Sequence, residues 1–204
     1  MNLKQAPLFA EFMRPTSSLI SEEGIRLIPA DPIWHESIVV AIKESQPDVR
    51  HALPWFEWSS PIDVQVSEYL EEVQRLGRGG LSHHWIVVHR DTFVGLIALD
   101  HSPHLVIGHW NLGYWIRSAY QGRRFASYAI DSVLTWISAA GGAPTAIEMR
   151  VDPLNIAGVA TAISAARRWK GHRFEEGDVH VVIGEEFVFH YCWLIPRLPI
   201  EASS

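Results

Sequence analysis

The segment that most constrains the fold of this chain begins at Trp110 and reads WNLGYWIRSAYQGRRFASYA. Its first part, up to Ile116, is rich in aromatic and aliphatic residues and predicts a β-strand. A break at residues 117–120 and a Gly-Arg-Arg turn follow, and a helix is predicted after them. The residues that recur at helical spacing are Ala126, Ile130, Val133, Leu134 and Ile137. The chain therefore contains a strand, a tight loop and a helix in direct succession.

The loop between this strand and this helix has the chemistry of an anion site. The first turn of a helix has backbone N–H groups without partners, and the helix dipole favours negative charge there. Gly122 allows a ligand to approach the backbone closely, and Arg123 and Arg124 add positive charge. We interpret the loop as a pyrophosphate cradle. The alternative is an ordinary strand-to-helix connection with a surface arginine pair, since short Gly/Arg loops also occur by chance.

The same residues resemble the central motif of the GNAT N-acetyltransferases, Q/R-x-x-G-x-G/A. The version of the RimJ/RimL-type ribosomal-protein N-terminal acetyltransferases is G-Y-W-x-x-x-x-x-Q-G-x-G-x-A. Gly113-Tyr114-Trp115 and the segment from Gln121 to Ala126 occupy those places. One residue departs from the pattern, because Arg124 stands where the family usually has glycine, and its Cβ narrows the approach to the backbone.

The resemblance implies acetyl-CoA as co-substrate, with no metal. In this family, backbone groups at the end of the central strand bind the pantetheine arm, and the loop amides hold the pyrophosphate. Asn155 matches the asparagine of the family's N-x-x-S motif, which contacts the cofactor arm, although it can also be a plain helix cap. The implied cofactor-binding residues are Trp115, Ile116, Arg117, Gln121, Gly122, Arg123, Arg124, Phe125, Ala126, Ser127 and Asn155.

The predicted order of elements is β-α-α-β-β-β-α-β-α-β-β, which is the order of the GNAT fold. We therefore expect an α+β fold in a single domain, with a central mixed sheet that is flanked by helices and splays near Ile116. Residues 1–21 are assigned to an N-terminal arm, residues 22–196 to the acetyltransferase domain and residues 197–204 to a tail. Asp31-Pro32 is a predicted helix start, and the helix after Asn155 is predicted to bury Val159, Ala162, Ile163 and Ala166.

Composition narrows the class of protein further. A length of 204 residues suits one domain, and the net charge of −6 argues against nucleic-acid binding. The single cysteine, Cys192, sits in an apolar strand pattern that would raise its pKa, so it is a poor nucleophile. No apolar run is long enough to span a bilayer, and the start lacks a signal-peptide core, so we predict a cytoplasmic protein without membrane contact. A homodimer is left open.

The sequence identifies the catalytic residues less clearly than the cofactor loop. Relatives often carry a glutamate base where Asn111 stands, and an amide cannot take a proton. His109 lies on the same face of the predicted strand and titrates near neutrality, so it is the candidate base, with Asn111 orienting the amine; a purely structural histidine is the alternative. The family's proton donor is often a tyrosine on the helix after Asn155. None occurs there, so Ser164 or solvent is the expected donor.

The acceptor is expected to be a primary amine, either a protein N-terminus or a small molecule. Trp55, in a Leu-x-Pro-Trp stretch that resembles the RimL-like branch, and Tyr114 are the predicted acceptor-binding residues. Trp55 equally fits a residue that fills the core. The predicted activity is N-acetyl transfer by direct attack in a ternary complex. The alternative is a catalytically weak acyl-CoA-binding or sensing domain on the same fold.

Overall fold

The computed structural model describes residues 12–21, 23–53, 56–101, 110–183 and 186–198. Within these ranges the chain forms nine strands and four α-helices. The strands are β1 Leu19–Ile20, β2 Arg26–Pro29, β3 His83–His89, β4 Thr92–Asp100, β5 Trp110–Ile116, β6 Ala146–Val151, β7 His172–Arg173, β8 Val179–Ile183 and β9 Glu186–Pro196. The helices are α1 His35–Glu44, α2 Ile62–Arg78, α3 Phe125–Ala139 and α4 Ile156–Arg168.

The strands form one mixed sheet in the order β1-β2-β3-β4-β5-β6-β9-β7, and β8 pairs with β9 outside this path. Neighbouring strands are antiparallel except β5 and β6, which are parallel. The β5–β6 ladder consists of Trp110 opposite Ile147 and Asn111 opposite Glu148. Because β5 continues to Ile116, the two strands separate over the rest of their length. The predicted splay near Ile116 is confirmed.

Side chains alternate between the two faces of the sheet, and each face has its own core. The face that carries Ile97 and Leu99 of β4 packs against α3 and α4. The opposite face, which carries Leu96, packs against α1 and α2. The predicted apolar side of α3 is confirmed, since Ile130, Val133, Leu134 and Ile137 are buried there. This arrangement is the α+β fold that the element order predicted.

Two elements differ from the sequence-based expectation. Leu19 and Ile20 of the predicted irregular arm pair with β2, and Phe12 is 2% exposed, so the described part of the arm packs onto the domain. On α4, the buried residues are Gly158, Ala162, Ala165 and Ala166, whereas Ile163 is exposed. The helix approaches the sheet through small residues, which turns Ile163 toward solvent. No helix in the described ranges combines the length and apolar composition needed to cross a bilayer.

Candidate active site

The separation of β5 from β6 leaves backbone groups of β5 facing a gap. Arg117 N–H donates to Val94 O on β4 at 3.0 Å, and Arg117 therefore points its amide away from the gap. In an antiparallel pair these bonds recur at every second residue, so Trp115 also bonds toward β4, while Tyr114 and Ile116 face the gap. The N–H groups of Trp115 and Arg117 are thus engaged with β4, and the role of these two residues in cofactor binding stays a prediction. On this side of β5, Ile116 O accepts from Gln121 Nε2 at 3.1 Å, and the Ile116 N–H faces the gap.

The loop after β5 opens onto the same gap. Gly122 and Arg124 both adopt left-handed backbone conformations, with φ of 73° and 64°, and α3 begins at Phe125. Tyr128 N donates to Arg124 O at 3.0 Å as a first helical bond, so the N–H groups of the residues before Tyr128 have no partner inside the helix. A cavity of about 450 Å³ lies against this turn. Its lining includes the predicted residues Trp115, Ile116, Gln121, Gly122, Arg124, Phe125, Ala126, Ser127 and Asn155.

The arginine side chains near the loop are held by neighbours. Arg117 Nε donates to Glu44 at 2.7 Å, so its charge is paired with a carboxylate of α1. Arg123 lies over the ring of Tyr120, with 5.5 Å from Cζ to the ring centroid, and does not line the cavity. Arg124 lies 5.4 Å over the ring of Tyr128 and does line it. Of the three predicted arginines, Arg124 is thus the one that lines the cavity.

The start of α4 closes the other side of the gap. Asn155 caps the helix, since its Oδ1 accepts from Gly158 N at 2.8 Å. A Cβ at position 158 would lie 2.7 Å from Asn155 Nδ2 and 2.9 Å from Val151 Cγ1. Gly158 stands where the family's N-x-x-S motif has serine, and a side chain there would collide with this cap. Tyr114 Oη donates to Gly158 O at 2.9 Å and so brings a phenol from β5 to the first turn of α4.

A second cavity, of about 360 Å³, lies on the α1–α2 face of the sheet. It meets the first cavity at the residues that line both, which are Ala52, Tyr114, Trp115, Asn155 and Gly158. Ligand cavities in proteins have volumes of roughly 300–1,000 Å³, so each of the two has a suitable size. We call them the acceptor cavity, on the α1–α2 face, and the cofactor cavity, at the loop.

A carboxylate stands at the edge of the acceptor cavity. Asp100, the last residue of β4, is paired with Asn111 of β5. Loss of hydration raises the pKa of Asp100 to about 6, while a hydrogen bond from Asn111 partly opposes the rise. Asn111 Oδ1 is buried and, among the described residues, has no hydrogen-bond partner. The pair therefore presents a base that titrates near neutrality beside an unused acceptor.

The other ionisable groups around the acceptor cavity have fixed states. Burial lowers the pKa of His84 to about 4, so the imidazole is neutral, and its Nδ1 lies 3.1 Å from Tyr69 Oη. Arg150 forms an ion pair with the fully buried Glu148, at 2.7 Å. Burial also raises the pKa of the Cys192 thiol to about 12, as its apolar strand position predicted. Asp100 is thus the lining group whose raised pKa, about 6, brings it close to neutrality.

The structure brings some predicted site residues together and not others. Asn111 and Tyr114 line the acceptor cavity. Trp55 and His109 lie outside the described residues, so their roles stay predictions. Ser164 is exposed on α4, accepts a hydrogen bond from Arg168 at 2.7 Å and lines neither cavity, because it faces away from the gap. Among the described residues, no three His, Cys, Asp or Glu side chains converge as they would around a metal ion.

Sequence reasoning missed Asp100. The sequence contains a weak indication of its role, because the apolar strand pattern ends in this acidic residue. Its relevance depends on the β4–β5 register, which sets it opposite Asn111. It depends also on burial, which only the packing of α2 against the sheet provides.

Comparison with known proteins agrees with this architecture. The family described as "Acetyltransferase (GNAT) domain" matches residues 27–182, more than half of the chain. The chain belongs to the GNAT acetyltransferase family. Its activity is therefore the acetyl-CoA-dependent acetylation of an amine. No curated protein sequence matches it significantly.

Solved structures of low sequence identity share the fold of this GNAT enzyme. RimL, a ribosomal L7/L12 α-N-protein acetyltransferase in complex with coenzyme A, is 13% identical, with a TM-score of 0.73 over 88% of this chain and 97% of that one. A putative ribosomal-protein-serine acetyltransferase from Vibrio cholerae is 19% identical, with a TM-score of 0.71 and coverages of 90% and 99%. The microcin C7 self-immunity acetyltransferase MccE, in complex with acetyl-CoA and AMP, is 13% identical, with a TM-score of 0.67 and coverages of 84% and 92%. The predicted likeness to RimL-type proteins is confirmed at the level of the fold.

Proposed function

We propose that this enzyme acetylates a primary amine bound in the acceptor cavity, and that Asp100 is the base that takes the amine's proton. The observation that carries the proposal is the raised pKa of Asp100, about 6, at the edge of that cavity. An alkylamine has a pKa near ~10 and is almost entirely protonated at neutral pH, so a proton acceptor is required before attack. The unpartnered Asn111 Oδ1 beside Asp100 supplies a second acceptor for the ammonium N–H groups and orients the nitrogen.

The cofactor cavity fits the second substrate. We propose that pantetheine lies along the gap side of β5, where Tyr114 and Ile116 present backbone groups without a strand partner, and that the pyrophosphate lies on the loop from Gln121 to Ser127. The neutral amine attacks the thioester carbon from the acceptor cavity. The oxyanion is held by the Ile116 N–H that faces the gap, since donors aimed at developing charge stabilise the transition state. RimL and MccE are described as bound to coenzyme A and acetyl-CoA, which agrees with this assignment.

The leaving thiolate needs a proton, and we assign the donor role to Tyr114. Its hydroxyl lies at the junction of the two cavities, where it donates to Gly158 O. Burial raises the pKa of Tyr114 above its usual value, so the phenol keeps its proton throughout the working pH range. Overall, the ammonium proton moves to Asp100 and the neutral amine forms the C–N bond. The C–S bond breaks as sulfur receives the Tyr114 proton, and the nitrogen releases its second proton to solvent. Solvent then restores both groups.

The experiment is the pH–rate profile of the wild type and Asp100→Asn on one amine acceptor. In the wild type, kcat/KM should rise with pH through an apparent pKa near 6. Asp100→Asn should remove this limb and lower the rate by roughly 10²-fold, with acetyl-CoA affinity unchanged. Asp91→Asn, in the exposed β3–β4 turn, is the control for loss of a carboxylate. If Asp100→Asn keeps both the rate and the limb, Asp100 is not the base, and His109→Ala becomes the informative variant.

A stability measurement separates this result from simple unfolding. The pKa of Asp100 is higher in the folded than in the unfolded chain, so its contribution favours folding below pH 4 and is lost as pH rises through about 6. Above that pH the buried charge costs on the order of 2 kcal/mol, after allowance for partial exposure of the side chain. Asp100→Asn should therefore be more stable than the wild type in urea unfolding at pH 8, and equal to it near pH 4. Lower stability of the variant at pH 8 would contradict the raised pKa.

A further inference from the structure

The wall that β4 and β5 give to the acceptor cavity lacks large side chains at its middle. Ala98 and Gly113 are paired across the two strands, and both line the cavity. The next residues on the same face, Leu96 and Trp115, are buried at 5% and 3% exposure. Ala98 and Gly113 instead keep part of their surface accessible. The space above this small-residue floor is therefore part of the cavity and is not filled by the protein.

Apart from Asp100, the side chains that α2 and β3 contribute around the floor are apolar or neutral. Aliphatic side chains of the cavity lining on this side are Leu53, Val73, Leu76 and Leu96. Tyr69 and His84 complete this end of the cavity, and both are neutral at pH 7, because burial raises the pKa of the phenol and lowers that of the imidazole. A polar group of the acceptor other than the amine at Asp100 would lose its hydration among these aliphatic side chains.

The floor lies next to the proposed base. Asp100 follows Ala98 by two residues on β4, and Asn111 precedes Gly113 by two residues on β5. Each is therefore the next residue on the same face of its strand. Same-face neighbours on a strand are roughly 7 Å apart. A phenyl ring on the next carbon reaches about this far from an amine nitrogen, and a branched aliphatic group reaches part of the way.

We propose that the acceptor is a primary amine with a compact apolar group near the amine-bearing carbon, and that this group lies on Ala98 and Gly113. The proposal rests on the proposed function, since it needs the amine at Asp100 and Asn111. The same chemistry is present in a small apolar amine and in a peptide whose first residue has an apolar side chain. Arg150, Asp152 and His190 also line the cavity and give it a polar part for the rest of either molecule.

Gly113 offers a variant that changes the floor without a steric conflict. A Cβ there would have Asn111 Nδ2 as its nearest neighbour, at 3.6 Å, which is an ordinary contact, and the φ of Gly113 is not in the left-handed region. Gly113→Ala and Gly113→Val should therefore fold and fill the space stepwise. Ala98→Val fills it from the opposite strand. Thr92→Val, at the other end of β4, controls for strand substitutions in general.

The test measures thiol release from acetyl-CoA with two acceptor series. One comprises methylamine, isobutylamine and phenethylamine, and the other comprises peptides beginning with Gly, Ser, Leu or Phe. We expect the wild type to favour the apolar members of at least one series by tenfold or more, the range that one or a few methylenes give in an apolar pocket. Gly113→Val and Ala98→Val should abolish that preference, measured as the ratio of kcat/KM between the apolar members and the smallest member of a series. Gly113→Ala should have an intermediate effect.

The outcomes separate this inference from the function on which it rests. Turnover of amines without preference for apolar ones would overturn the inference and leave the proposed function intact. Equal losses for all acceptors in Gly113→Val and Ala98→Val would overturn it as well, since the floor would then be a structural feature. Absence of turnover with every amine, although acetyl-CoA binds, would overturn both.

Discussion

At the scale of single residues, Tyr114 of β5 supplies the phenol that the family often carries on the helix after Asn155. The helix α4 contains no tyrosine, yet a phenol reaches its first turn from β5 across the gap. Tyr114 Oη donates to Gly158 O at 2.9 Å, and the folded Asn155 cap fills the space that a side chain at Gly158 would take. One backbone hydrogen bond thus sets the phenol at the border of the two cavities.

Tyr114→Phe is expected to lower kcat by roughly 10²-fold, because the thiolate loses its proton donor while the ring remains in place. Acetyl-CoA affinity, measured by calorimetry, should change little, and loss of one hydrogen bond should cost about 1 kcal/mol of stability. The phenol stays protonated, so the pH limb of Asp100 should persist in this variant. Tyr120→Phe, which also alters a tyrosine of the cofactor cavity, is the control. Unchanged kcat in Tyr114→Phe would return the donor role to solvent.

At the scale of elements, periodicity predicted most of the sheet and all four helices. Asp31 caps a short 3-10 turn that leads into α1, since its side chain accepts from Ile33 N, as the Asp-Pro pair indicated. The two-residue strands β1 and β7 are too short to produce a pattern. The prediction that Ile163 is buried was wrong because it assumed that a helix buries its largest apolar residues, whereas α4 packs through alanine and glycine. Such details depend on how closely a helix approaches the sheet.

The candidate site also has one part that the local sequence predicts and one part that it does not. The cofactor loop is local in sequence, and a motif could predict it. The acceptor cavity is assembled from β3, β4, β5, β6, β9 and α2, and no local pattern reports which polar residues meet there. Strand register pairs Asp100 with Asn111, and burial raises the pKa of Asp100. Both are consequences of long-range packing.

The start of α3 gives a prediction at this scale. Arg124 is the N-cap residue, with φ of 64° and ψ of 10°, where the family motif has glycine. The left-handed conformation costs an L-residue about 1–2 kcal/mol, whereas glycine adopts it freely at some cost in unfolded-state entropy. We expect Arg124→Ala to be less stable than Arg124→Gly by about 1 kcal/mol in urea unfolding, since both lose the stacking on Tyr128. Equal stability of the two variants would argue against a left-handed residue there.

At the scale of the whole molecule, one histidine ties the N-terminal segment to the sheet. His83 on β3 is fully buried, and its Nε2 lies 3.0 Å from Phe12 O. A carbonyl oxygen only accepts, so Nε2 carries the hydrogen, and Nδ1 of the neutral ring accepts from Thr16 Oγ1 at 3.0 Å. The rings around it belong to Phe12, Trp85, Trp110 and Trp136. Segment, sheet and α3 therefore meet at one uncharged imidazole.

This contact makes the stability of the whole fold sensitive to acid. Burial lowers the pKa of His83 to about 4, against about 6.5 in an unfolded chain. A group whose folded pKa is depressed in this way stabilises the fold fully above pH 6.5 and loses that contribution as pH falls toward 4. The loss attributable to this residue amounts to about 3 kcal/mol across that window. Asp100 acts in the opposite direction between pH 6 and 4, and so offsets part of it.

His83→Gln is the variant that isolates the effect, because the amide can still donate to Phe12 O but does not titrate. We expect it to be less stable than the wild type at pH 7.5, where it packs less well among the aromatic rings. Its free energy of unfolding should then fall less steeply with acid, so that the two urea-unfolding series converge between pH 6.5 and 4.5. Chymotrypsin should cut the wild type after Phe12 more readily at pH 5 than at pH 7.5, once its own pH dependence is corrected with an unfolded substrate. Parallel stability curves for the two proteins would show that protonation of His83 does not govern the acid sensitivity.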